Sequence, residues 1–116
     1  MEGIATSPTL QWRVGEAVPY TFEDVELDER RAVVSRQGRL VRLSPTEFAL
    51  LHALMRNVGR VMSKEELLDA VWGYRFAGDA NILQTYVSYL RRKLGRDGAS
   101  LVQTVRGVGY RLGPGH

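Results

Sequence analysis

From Tyr20 to Leu43 the chain alternates apolar and polar residues in short runs. Tyr20-Thr-Phe22 and Val25-Glu-Leu27 flank Glu23-Asp24, while Ala32-Val-Val-Ser-Arg36 and Arg39-Leu-Val-Arg-Leu43 flank Gln37-Gly38. A period of two, broken by turn residues, predicts a small antiparallel sheet of three or four strands, with Gly38 supplying the positive φ of a tight turn. After Leu43 the period changes. Ser44-Pro-Thr-Glu47 has the form of a capping box with proline at the first helical position. Phe48, Leu51, Leu54 and Met55 follow at helical spacing, and Asn57 to Gly59 ends the helix. Val61-Met62 suits a short strand. Ser63-Lys-Glu-Glu66 is a second capping box, opening a helix that carries Leu67, Leu68, Val71 and Trp72. Gly73 to Asp79 is predicted to be a loop, with Asp79 at the N-cap position of a third helix over 81–94. At about 100° per residue, Leu83, Val87, Leu90 and Leu94 form one narrow stripe of that helix. Asn81, Thr85, Ser88, Tyr89 and Arg92 fall roughly opposite. Gly95 to Ala99 is predicted to be a further loop. Leu101 to Val105 and Tyr110 to Leu112 then form a hairpin around Arg106-Gly-Val-Gly109.

Strands, three helices and a terminal hairpin, in that order, predict an α+β fold. It is a winged helix-turn-helix with an N-terminal antiparallel sheet, a three-helix core and a C-terminal β-hairpin wing. A length of 116 residues fits one domain. The pattern bounds it at 18–113, with 1–17 as a linker or leader and 114–116 as a tail, although Leu10-Gln-Trp-Arg-Val14 alternates enough for a short strand that would pack Trp12. The chain is 44% hydrophobic and 25% charged, an ordinary globular composition. It has no cysteine, which excludes disulfides and thiolate metal sites and fits a reducing compartment. The first residues lack the basic start and apolar stretch of a signal peptide, and no apolar run approaches the ~20 residues needed to cross a bilayer. A soluble cytoplasmic protein is expected.

Charge changes the picture through its distribution. The net charge is only +3. Residues 1–29 hold seven acids against Arg13, whereas residues 80–116 hold six bases against Asp97 alone. Such polarity suits a molecule with one end facing a polyanion. The third helix sharpens the point. Exposed helix faces usually carry Glu and Lys at i,i+4 spacing, yet this one has no acid between Ala80 and Gly95. It offers Asn, Gln, Thr, Ser and Tyr, then Arg91-Arg92-Lys93. Amides, hydroxyls and guanidinium groups are the chemistry that reads base edges in a major groove, and the missing acids spare phosphate any repulsion. Arg91 and Arg92 are expected to contact phosphate. Lys93 is the weakest member of the trio, because a cation near a helix C-terminus also serves the helix dipole. Arg106, on a glycine-rich tip, can enter a narrow minor groove, and Thr104 before it can donate to phosphate. Trp72 is expected to pack on the core with its indole N–H directed to a phosphate. Tyr74 and Phe76 either mark a protein-contact surface or pack on the helices, and the pattern leaves both open.

Enzymatic chemistry finds little support. His52 lies inside the first helix and His116 ends a Gly-Pro-Gly tail, and neither has a neighbour at metal-ligand spacing. There is no nucleophile elbow and no phosphate-binding loop. Glu65 and Glu66 are better explained by capping and solvent, and Gly107 with Gly109 lacks the strand–turn–helix context of a dinucleotide site. No catalytic residue, metal or cofactor is expected.

Four stretches carry a family likeness: Leu43-Ser-Pro-Thr-Glu-Phe-Ala-Leu-Leu51, Gly59-Arg-Val-Met-Ser-Lys64, Tyr86-Val-Ser-Tyr-Leu-Arg-Arg-Lys-Leu94 and Thr104-Val-Arg-Gly-Val-Gly-Tyr110. In order and spacing the chain resembles the C-terminal effector domain of OmpR/PhoB-family response regulators of bacterial two-component systems. The resemblance implies a recognition helix over 80–94 and a wing over 101–112. It implies that Asn81, Thr85, Ser88 and Tyr89 face bases or nearby phosphates, that Arg91, Arg92 and Thr104 hold the backbone, and that Arg106 enters the minor groove. Double-stranded DNA with direct-repeat half-sites is the implied partner. RNA polymerase would meet Tyr74, Arg75 and Phe76. In a full-length protein a receiver domain phosphorylated by a sensor histidine kinase would be a further partner. Some members carry Arg where this chain has Ser88 and Tyr89, so bidentate Arg–guanine readout is unavailable there and the site preference does not transfer. The family's receiver domain has no counterpart in these residues. Linker-like residues 1–17 favour an effector fragment over a stand-alone member. The alternative is a winged-helix module that binds polymerase or a receiver domain rather than DNA.

Overall fold

The computed structural model describes residues 19–73, 78–79 and 81–113. Four short strands open it: β1 (Tyr20–Phe22), β2 (Val25–Asp28), β3 (Val33–Arg36) and β4 (Arg39–Val41). They form an antiparallel meander in sequence order. Val25, Leu27 and Val34 face inward and are buried, while Glu26 and Ser35, paired across β2 and β3, face out. The β3–β4 turn places Gln37 at φ 53° and Gly38 at φ 78°, and two positive φ values in succession are what a type I′ hairpin turn requires. Ala32, predicted within a strand, has φ 56° and belongs to the turn before β3.

Three helices follow: α1 (Pro45–Met55), α2 (Lys64–Trp72) and α3 (Asn81–Leu94). Both predicted capping boxes form. Ser44 Oγ accepts from the Glu47 amide and Glu47 Oε1 from the Ser44 amide, and Ser63 and Glu66 repeat the exchange. Asp79 starts α3 as expected, its carboxylate accepting the Asn81 amide at 2.9 Å. The predicted stripe Leu83, Val87, Leu90 and Leu94 is fully buried. α1 buries more than one stripe, with Leu50, Leu51, Ala53, Leu54 and Met55 all inside, because it packs against α2, α3, β1 and the wing at once.

After α3, where the pattern predicts a loop to Ala99 and a strand from Leu101, the chain forms a helical turn, α4 (Gly98–Leu101), and the strand starts one residue later. Its position explains Gly98: a Cβ there would lie 2.0 Å from the Arg91 carbonyl oxygen, so only glycine lets this turn close on α3. The wing, β6 (Val102–Val105) and β7 (Gly109–Leu112), is joined by β5 (Met62–Ser63) in a three-stranded sheet ordered β5-β7-β6. The wing is thereby stitched to the entrance of α2. The predicted strand in residues 1–17, the Tyr74–Phe76 segment and the 114–116 tail lie outside the described residues.

Candidate nucleic-acid interface

The face of α3 opposite the buried stripe is open. Asn81, Thr85, Ser88, Tyr89 and Arg92 are all exposed. Thr85 Oγ1 donates back to the Asn81 carbonyl at 3.3 Å, which fixes the hydroxyl and leaves its oxygen as an acceptor. Tyr89, 37% exposed, ends a run of edge-to-face rings. Trp72 meets Tyr86 at 5.6 Å and Tyr86 meets Tyr89 at 5.3 Å. Trp72 packs against the core, as predicted. The Arg92 guanidinium lies 5.5 Å from the Tyr89 ring centroid, in cation–π range, and makes no hydrogen bond or ion pair among the described residues.

The three consecutive cations Arg91, Arg92 and Lys93 have three different surroundings. Arg91 turns toward the wing, donating from Nε to the Val102 carbonyl at 2.9 Å and from a terminal nitrogen to Thr104 Oγ1 at 2.7 Å. Lys93 turns toward α1, with Nζ 2.9 Å from Glu47 Oε1 and 3.3 Å from the Arg42 carbonyl. Arg92 alone faces open solvent on the polar side. Glu47 is nevertheless fully buried, an unusual place for a carboxylate. Burial opposes its charge, but the Ser44 amide and the Lys93 ammonium outweigh it and hold its carboxyl below the usual glutamate value.

Arg36, which the sequence pattern did not single out, closes the far end of α3 from β3. It donates to the carbonyls of Leu94 and Arg96, and its Nε lies 2.9 Å from Asp24 Oδ1. A cation on the last carbonyls satisfies groups that a helix end leaves unpaired. Desolvation raises the Asp24 pKa, but bonds from Arg36 and Gln37 prevail and lower it overall. No local signal marks Arg36 for this role, since its acceptors lie 58 and 60 residues away. At the wing tip Arg106 and Val108 are exposed, and the Val108 carbonyl accepts the Lys64 amide at 3.3 Å. The tip therefore stands beside the first turn of α2.

Exposed α3, a trihelical core and an arginine-tipped wing anchored to that core define a winged helix-turn-helix domain of the nucleic-acid-binding type. Residues 38–112 match the family "Transcriptional regulatory protein, C terminal", and the chain belongs to it. It is 48% identical over 91 residues to the transcriptional regulatory protein TrcR of Mycobacterium tuberculosis, covering 78% of this chain and 35% of that protein. It is 47% identical over 98 residues to response regulator MprA of Mycobacterium leprae, covering 84% and 43%. The chain thus spans less than half the length of these relatives. Among solved structures, the DNA-binding domain of Escherichia coli CpxR superposes with a TM-score of 0.75 at 31% identity, covering 86% of this chain and all of that one. The Klebsiella pneumoniae RstA DNA-binding domain, solved in complex with the RstA box, gives a TM-score of 0.75 at 29% identity over 84% of this chain and 99% of that one.

Proposed function

We propose that this chain binds double-stranded DNA sequence-specifically, as the effector unit of a two-component transcription regulator, with α3 in the major groove and the β6–β7 tip in the adjoining minor groove. The observation that carries the reading is the exposed polar face of α3, free of acids, lying between an open Arg92 and an arginine-tipped wing. In this arrangement Asn81, Thr85, Ser88 and Tyr89 meet base edges, Arg92, Thr104 and the Trp72 indole meet the backbone, and Arg106 enters the minor groove. The likeness to a domain solved on its own DNA box supports it. The alternative of a protein-only module is not favoured, since the similar solved domains are DNA-binding domains. RNA polymerase meeting the Tyr74–Phe76 segment, a receiver domain phosphorylated by a sensor kinase, pairing on direct repeats, a cytoplasmic setting and a lack of catalytic activity complete the proposal. It is supported by relatives named as response regulators and by the absence, among the described residues, of any helix long and apolar enough to cross a membrane.

Selecting bound sequences from a genomic library, then titrating salt on the selected site, tests this reading. The expected log–log slope is about −3 to −5, at about −0.9 per phosphate neutralised. Arg106→Ala should weaken binding to the selected site. No selected sequence, or a slope near zero, refutes the proposal.

A further inference from the structure

Arg91 and Arg92 are adjacent, equally charged and near the same helix end, yet only Arg92 is open. Two of the five N–H donors of Arg91 are held from inside: Nε holds the Val102 carbonyl at 2.9 Å and a terminal nitrogen holds Thr104 Oγ1 at 2.7 Å, while Cζ lies 6.0 Å from the Tyr110 ring centroid. Val102 and Thr104 lie on β6 and Tyr110 on β7, so one side chain grips both strands of the wing. The backbone of Arg91 is itself pinned, since Gly98 packs directly on its carbonyl. Arg91 thus ties α3 to both strands of the wing.

We propose that Arg91 is a positioning residue for DNA recognition rather than a phosphate ligand: it sets the distance between the base-reading face and the wing tip and turns the Thr104 hydroxyl outward. This rests on the DNA-binding reading above. The geometry of Thr104 supplies the second half. Its Oγ1 accepts from a guanidinium, so its own proton has no role in that bond and is left to donate to a phosphate oxygen. A charge-assisted bond to the oxygen also polarises the hydroxyl and makes it a better donor. Arg106 follows two residues later, at the start of the turn that leaves β6, so its entry into a minor groove inherits whatever register Arg91 imposes.

A lysine separates the two roles. It serves phosphate well as a point charge but cannot reproduce a planar fork holding two acceptors. Salt titrations on the selected site should show Arg91→Lys losing about tenfold in affinity, the scale of one charge-assisted bond, with the slope of the native chain retained. Arg92→Ala should instead reduce the slope by about 1, as expected for the loss of one phosphate contact. Thr104→Val removes one acceptor without touching Arg91, and in the double variant with Arg91→Lys the two losses should be less than additive. In the DNA-free protein, Arg91 Nε–H should exchange with solvent more slowly than Arg92 Nε–H by nuclear magnetic resonance, a readout that needs no ligand and no variant. Native affinity for Arg91→Lys, additive losses in the double variant, or equal exchange at the two arginines would each overturn the assignment. Failure of the native chain to bind any DNA would instead sink the underlying reading, and is seen before any variant is made.

Discussion

Replacing Glu47 by glutamine isolates the link between the recognition helix and the start of α1. The amide oxygen of Gln can still accept the Ser44 amide, as capping boxes allow, so the change chiefly removes the charge facing Lys93. The carboxylate side chain is 6% exposed and the ammonium side chain 43%. Fully exposed pairs contribute about 0.2–1 kcal/mol and hydrogen bonds to charged groups about 1.5–3 kcal/mol. A pair with one buried and one half-wet member falls between, at about 1–1.5 kcal/mol. In a domain of this size that is a fall in Tm of about 5–10 °C. Thermal and urea melts of Glu47→Gln, Lys93→Met and the double variant give the coupling directly. The pH dependence has a fixed sign. The folded pKa of Glu47 is depressed, so its contribution is complete above the unfolded value near 4.3 and is lost as pH falls through the folded one. The stability gap between the native chain and Glu47→Gln should therefore be full at pH 7 and shrink below about pH 4. A coupling under about 0.3 kcal/mol at neutral pH, or a gap that persists in acid, refutes the reasoning.

Two further substitutions probe the C-terminal end of α3. Gly98→Ala forces a Cβ onto the Arg91 carbonyl and should cost about 1–3 kcal/mol, the usual range for overpacking, read as a lowered urea midpoint; an unchanged midpoint would contradict the close approach. Arg36→Met strips the Leu94 and Arg96 carbonyls of their cation, so amide exchange in the last turn of α3 should accelerate several-fold while the Leu83 end stays protected. Uniform acceleration along the helix would mean that Arg36 stabilises the fold as a whole rather than this helix end.

Most of the local architecture is legible without coordinates. Both capping boxes close within three residues, so nothing distant competes with them. The α3 stripe is buried as its period demands, because 3.6-residue geometry fixes which side chains share a face. The Gln37-Gly38 turn follows from the φ that glycine allows. Boundaries slip where turn and strand compete: Ala32 lies outside β3 and Leu43 outside β4. The α4 turn was hidden because its stability comes from docking on Arg91, not from its own four residues.

The sequence by itself determined that a polar, acid-free helix face stands next to a glycine-tipped basic hairpin, since both features arise from local pattern within residues 81–112. Only the tertiary structure decided what each cation does. Arg91, Arg92 and Lys93 carry the same charge at successive positions of the sequence. About 100° of helical rotation per residue aims them at the wing, at open solvent and at α1. Their partners, Val102 with Thr104, the Tyr89 ring and Glu47, are set by how the elements dock, not by anything near them in the chain.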